Sequence, residues 1–214
     1  MANKKNKVNF LCSACGDDFA KWHGQCPSCK EWGTLSEFKV LGNKSVKRSK
    51  LDYRDYKSLN DILDSDPGER ITTSILEADR VLGGGLLPGS LLLLGGSPGV
   101  GKSTLALHIC SGVNKPILYV SAEESEQQVA IRAKRINVKS DNLNLSSEND
   151  LNGILTHIDR ISPSLVVIDS IQTIINSDLD SLPGSPSQIR DCGQKFLEVS
   201  KQNNVIIIIV GHVT

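Results

Sequence analysis

After residue 90 the chain is punctuated by short apolar runs: Leu91–Leu94, Ile117–Val120, Leu165–Ile168 and Val205–Val210. The first shows no alternation of apolar and polar positions, so it reads as a strand buried on both faces. That is the expectation for a parallel sheet covered by helices. Pro116–Ser121, Leu165–Asp169 and Val205–Val210 read as further strands. Segments of helical period lie between them: Ser74–Leu82, Ser103–Val113, Ser125–Arg135, Ser147–Ile161 and Gln188–Lys201. Arg70–Ser74 reads as a short strand entering this region, and Ser74 with Glu77 three residues on has the form of a helix cap. Alternating strands and helices predict an α/β fold with a mostly parallel sheet.

The front of the chain has a different pattern. Residues 39–57 are basic, poor in apolar residues and without periodicity, which reads as a linker. The expected division is a small domain over 8–38, a basic linker over 39–66 and an α/β domain over 67–214. A domain of about 30 residues cannot build a sufficient core, and the cysteines say what replaces it. Cys12-x-x-Cys15 and Cys26-x-x-Cys29 form two knuckles ten residues apart, the donor set of a four-thiolate zinc ribbon. Disulfides compete as a reading but suit an oxidising compartment. His23 lies between the knuckles and is expected to stand aside, because four cysteines fill the shell. Phe10, Trp22, Trp32 and Phe38 are expected to cover the zinc site, with base stacking by an exposed Trp as the alternative. Cys110 and Cys192 fall inside helical patterns and read as small buried residues.

The candidate chemistry of the larger domain begins where its first strand ends. Gly96–Ser103 fits the phosphate-loop pattern G-x-x-x-x-G-K-[ST], with a strand before it and a helix after it. Glycines let successive N–H groups turn inward toward phosphate oxygens, and the following helix adds its positive end. The ATP-binding set is therefore Gly96, Ser97, Pro98, Gly99, Val100, Gly101, Lys102, Ser103 and Thr104. Lys102 is expected to reach the β- and γ-phosphates and the Ser103 hydroxyl to hold Mg²⁺. Asp169 closes the run Leu165–Ile168, as a Walker B carboxylate that shares the Mg²⁺ shell does. An Asp that merely starts a turn is the plainer reading of that residue. Asn176–Pro186 is a polar loop long enough to suggest a function.

Composition adds two constraints. No stretch approaches the ~20 apolar residues of a membrane span, and no apolar segment follows the basic start. The expected setting is therefore cytoplasmic, without membrane contact. The charges balance overall, 24 basic against 24 acidic residues, yet residues 1–57 hold twelve of the basic and six of the acidic ones. A basic front end on an acidic body suits a polyanionic partner, or is simply a solvated tail.

Three features together resemble the RadA (Sms) family of RecA-type ATPases of bacterial DNA repair. They are Cys12-Ser-Ala-Cys15-Gly…Lys-Trp-His-Gly-Gln-Cys26-Pro-Ser-Cys29…Trp-Gly-Thr, then Asp79-Arg-Val-Leu-Gly-Gly-Gly85…Pro88-Gly-Ser90, and Val210-Gly-His-Val-Thr214. The resemblance covers essentially the whole chain. It implies a RecA-like P-loop core behind a zinc ribbon, with ATP, Mg²⁺ and Zn²⁺ as cofactors. It implies a DNA-dependent ATPase that binds single-stranded and branched DNA, promotes branch migration, meets the recombinase RecA and assembles as a homo-hexamer. Glu123 matches the carboxylate that activates the attacking water, with Glu124 its less favoured neighbour. His212 matches a strand-end sensor of the γ-phosphate. The 176–186 loop, followed by Ser187, Gln188 and Arg190, matches the first DNA-facing loop. Family members continue past residue 214, so the core is expected to be incomplete at its C-terminus. The competing readings are an ATP- and zinc-dependent binding module without turnover, and a RecA-type signalling ATPase.

Overall fold

The computed structural model describes residues 8–39, 56, 58–60, 68–138, 141–179 and 181–212. The linker expected over 39–66 lies almost wholly outside them. The N-terminal domain is a three-stranded antiparallel sheet in which β1 (Val8–Cys12) runs between β2 (Asp18–Phe19) and β3 (Leu35–Lys39). Two turns repeat one geometry. Gly16 donates its N–H to the Cys12 carbonyl, and Lys30 donates its N–H to the Cys26 carbonyl. Each closing residue has positive φ, 76° at Gly16 and 60° at Lys30. That conformation is easy for glycine and tolerated at some cost by Lys30.

The larger domain is built on a five-stranded parallel sheet. Its strands are β4 (Leu91–Gly96), β5 (Ile117–Ser121), β6 (Leu143–Ser146), β7 (Leu165–Asp169) and β8 (Ile206–His212), in the spatial order β4-β8-β7-β5-β6. Helices cover both faces. Helices α2 (Lys102–Gly112) and α3 (Glu126–Arg135) pack one face through Ala106, Leu107, Cys110, Val129 and Ala133. Helices α4 (Leu151–Ile161) and α5 (Pro186–Asn203) pack the other through Leu151, Ile154, Ile158, Cys192 and Phe196. A short helix, α1 (Leu76–Val81), precedes β4. The inner strands β5, β7 and β8 are buried between these layers. Leu165 and Val167 face α2 and α3, while Val166 and Ile168 face α4 and α5. Parallel pairing brings the C-terminal ends of β4, β8, β7 and β5 to one edge, and the catalytic candidates stand there. Cys110 and Cys192 are both inaccessible, as their helical setting implied.

Several local expectations are corrected. Leu91–Leu94 is not buried on both faces. β4 is the edge of the sheet among the described residues, and Leu93 is 67% exposed. Arg70–Ser74 forms no strand, only a two-residue bridge between Ile71 and Leu86. Ser74 does not cap α1, whose preceding residue is Ile75. Asp79 instead ties the helix to the segment before it, accepting hydrogen bonds from the Thr73 N–H (2.9 Å), the Thr73 hydroxyl (2.7 Å) and the Thr72 hydroxyl (2.5 Å). The helix expected over Ser147–Ile161 begins at Leu151 with Asp150 as its cap, and β6, just upstream, had no visible apolar run. β6 alternates partly buried Leu143 and Leu145 with exposed Asn144, the pattern of the sheet's other edge.

Candidate functional site

β4 delivers the chain into the phosphate loop, and α2 leaves it at Lys102. Ser97–Gly101 are all exposed, so the loop is open to solvent. Gly99 and Gly101 have φ of 78° and 99°, values that a side chain would resist even though the space beside them is empty. Gly101 stands at the N-cap of α2, where no side chain satisfies the helix's first N–H groups and no acidic residue sits in the first turn. The result is a set of amide donors with a positive field and no competing carboxylate from the helix, which suits phosphate oxygens. Lys102 is 7% exposed, and its ammonium donates to the Gly96 and Ser97 carbonyls at 2.8 and 2.9 Å. It therefore stays folded into the loop that it is expected to serve.

The carboxylates converge from the neighbouring strand ends. Asp169 ends β7, pairs in register with Ser121 at the end of β5, and is 8% exposed. Glu123, exposed two residues beyond β5, accepts a hydrogen bond from the Ser170 hydroxyl at 2.6 Å. Glu124 turns the other way, to Arg132 at 2.7 Å. His212 pairs with Gly96 in the β8–β4 register, so its backbone lies beside the start of the phosphate loop. The loop from Asn176 is pinned at its base. The Asn176 N–H donates to the Gln188 side chain, and its amide donates to Asp191 at 2.7 Å. Tyr119 and Arg132 escaped the reading of the sequence. A buried tyrosine inside an aliphatic strand needs a partner for its hydroxyl, which was the available signal.

The four cysteines of the small domain come together. Their sulfurs all lie within 4.8 Å of one another, with Cys12–Cys29 at 3.7 Å and Cys15–Cys26 at 3.6 Å. Those separations fit the edge of a tetrahedron with metal–sulfur bonds of ~2.3 Å, and are far longer than a disulfide's ~2.05 Å. Burial works against a charged Cys12, but bonds with Thr34 and the N–H groups of Cys15 and Ala14 outweigh it and bring the thiol down to about 6. The Asp17 N–H favours a Cys15 thiolate. Burial and the neighbouring sulfurs overrule it and push Cys15 up to about 12. Four sulfurs this close together suit a bound cation, and Zn²⁺ is the ion that this donor set fits. His23 packs edge-on against Phe19 instead of joining the sulfurs. Trp22 and Trp32 correct another expectation. They are 61% and 74% exposed and flank Gly24, while Phe10, Phe19 and Leu35 cover the cysteines. The side chain of Phe38 lies outside the described residues.

Residues 62–214 match the family described as AAA domain. The chain belongs to that family. Residues 10–37 match a second family, the rubredoxin metal binding domain, as the sulfur geometry leads one to expect. The chain is also similar along its whole length to proteins named DNA repair protein RadA. It is 43% identical over 221 residues to that of Listeria monocytogenes, covering 100% of this chain and 48% of the relative. With the Haemophilus influenzae protein it shares 40% over 220 residues, 99% of this chain and 48% of the relative. For Bacillus subtilis the figures are 40% over 217 residues, 98% and 47%. These similarities bear out the RadA resemblance. The chain spans about half the length of the curated relatives it matches. Within the AAA domain the loop 96–104, Glu123, Asp169 and the backbone of His212 share one edge of the sheet. Among the described residues no helix is long and apolar enough to cross a membrane.

Proposed function

We propose that this chain binds ATP and Mg²⁺ on its AAA domain and zinc on its ribbon, and that it serves a DNA-repair ATPase of the RadA kind. The observation that carries the reading is the placement of exposed Glu123 and buried Asp169 at the strand ends next to an open phosphate loop. In this reading the amides of Gly96–Thr104 bind the phosphates, and Lys102 turns from the loop carbonyls to the β- and γ-oxygens. Ser103 and Asp169 would hold Mg²⁺, which when bound draws charge from the phosphates. Glu123 accepts the proton of the attacking water, with the Ser170 hydroxyl keeping its other oxygen in place. His212, at the strand end beside the loop, senses the γ-phosphate and relays it toward the 176–186 loop. Single-stranded and branched DNA is the proposed polyanion, met by that loop and by the basic front end. RecA as partner, branch migration, a hexameric ring and a cytoplasmic setting are part of the same proposal, which rests on the similarity to RadA.

The decisive measurement is titration of the chain with a fluorescent ATP analogue in the presence of Mg²⁺, followed by phosphate release with and without single-stranded DNA. Lys102→Ala is expected to weaken binding or turnover by about 10²-fold, the scale of losing one preorganised electrostatic contact. Unchanged binding and turnover in that variant would refute the site. Binding without phosphate release would favour a module that uses ATP without hydrolysing it.

A further inference from the structure

Behind the carboxylates that face the phosphate loop lies a layer of polar side chains to which no role has been given. Tyr119 is wholly buried, and its hydroxyl donates to Asp169 Oδ2 at 2.5 Å. The strand register explains the reach. Tyr119 sits opposite Val167 and Asp169 opposite Ser121, so the phenol spans two residues, about 7 Å, along the same face of the sheet. Arg132, on α3, approaches the same oxygen at 3.9 Å while its Nη2 stands 2.7 Å from Glu124 Oε2. Its Nε and Nη2 are buried without a well-directed hydrogen bond, so it acts here mainly as a charge held between two carboxylates. The orientation of α3 is fixed by a reciprocal cap, in which Ser125 and Gln128 satisfy each other's backbone N–H groups.

We propose that Tyr119 and Arg132 are positioning residues for the metal–nucleotide site. Tyr119 fixes one oxygen of Asp169, and Arg132 draws Glu124 aside, so that Asp169 Oδ1 and Glu123 are the carboxylate groups presented to the nucleotide. This inference rests on the nucleotide-binding reading above. It also answers what the sequence left open, namely how two adjacent glutamates come to differ. Glu123 is held at one oxygen by the neutral Ser170 hydroxyl, which leaves its negative charge available. Glu124 is neutralised by a guanidinium. Each working carboxylate thus has one oxygen anchored and one open, the arrangement that makes a metal ligand or base rigid before anything binds. Burial first, and then the Asp169 charge and bond, push the Tyr119 phenol far up, so it stays a neutral donor at any working pH.

The test compares affinity for the fluorescent ATP analogue with Mg²⁺ and with EDTA, taking the ratio of the two. The unaltered chain is expected to bind more tightly with Mg²⁺. Tyr119→Phe removes one oxygen atom, and is expected to cut that ratio by about tenfold, the lower end of what losing such a support costs a metal site. Should it fail to fold, Arg132→Gln carries the same test. Adding Glu124→Gln to Arg132→Gln is expected to restore at least half of the lost ratio, because the carboxylate set free by the first change is removed by the second. A folded Tyr119→Phe or Arg132→Gln chain with the unaltered ratio overturns the proposal. An unaltered chain that binds no nucleotide overturns the functional reading itself, and this inference with it.

Discussion

The ribbon and the AAA domain solve the problem of stability in opposite ways. Among the described residues of the ribbon only Cys12, Cys26 and Leu35 are buried, and two of those three belong to the cysteine cluster. In the AAA domain an entire strand such as Leu165–Val166–Val167–Ile168 is inaccessible, with helices on both sides. One domain holds its shape through a single inorganic centre, and the other through many weak contacts. One domain is therefore expected to be able to unfold while the other stays folded. The ribbon should respond to metal supply and pH, and the AAA domain to packing.

The sharpest break in that comparison is removal of the metal. Chelation, or Cys26→Ser, is expected to abolish the ribbon's fold completely while the thermal unfolding of the AAA domain stays where it was. Backbone amide spectra read both domains in one sample. Acid acts in the same direction, because every ligand must shed a proton to bind. Zinc is held near neutral pH and released as the pH falls. A common loss of both domains on chelation would end the idea of independence. The converse experiment is smaller in extent. Phe196→Ala empties a wholly buried site on α5 and should cost the AAA domain about 3–5 kcal/mol in denaturant unfolding, with zinc content unchanged. Smallest is Ser125→Ala. It removes the side-chain half of the α3 cap, worth about 1 kcal/mol, and its trace should appear in the AAA domain alone.

Legibility in the sequence follows the same division of physics. The cysteine spacing and the phosphate loop were readable because each is local, with all its chemistry inside one turn or two. The order β4-β8-β7-β5-β6 was not, because apolar runs reveal which segments are strands but carry no record of neighbours. For that reason Leu91–Leu94 read as interior although it lies at an edge. β6 was missed because an edge strand needs only alternate apolar positions, and Leu143 and Leu145 are too few to stand out. The tryptophans misled for another reason. Large aromatics usually pack, but a domain closed by metal and by Phe10 and Phe19 has no interior left for Trp22 and Trp32. Tyr119 and Arg132 come from different elements and meet at Asp169 only in the folded chain, the first through the strand register and the second through the packing of α3.

The edge position of β4 has a consequence for solution behaviour. Its sequence, Leu91-Leu-Leu-Leu-Gly-Gly96, carries no charge, no proline and no bulge, which are the usual guards against a foreign strand. One side of the strand is zipped to β8, and Leu93 projects beside Val81 and Leu105 onto an apolar groove of about 420 Å³. Such an edge acts as a template whose occupancy depends on how many extended apolar segments are nearby. These 214 residues on their own are therefore expected to sediment as larger species as their concentration rises. A single charge at the centre of the template, Leu93→Lys, should return them to the monomer.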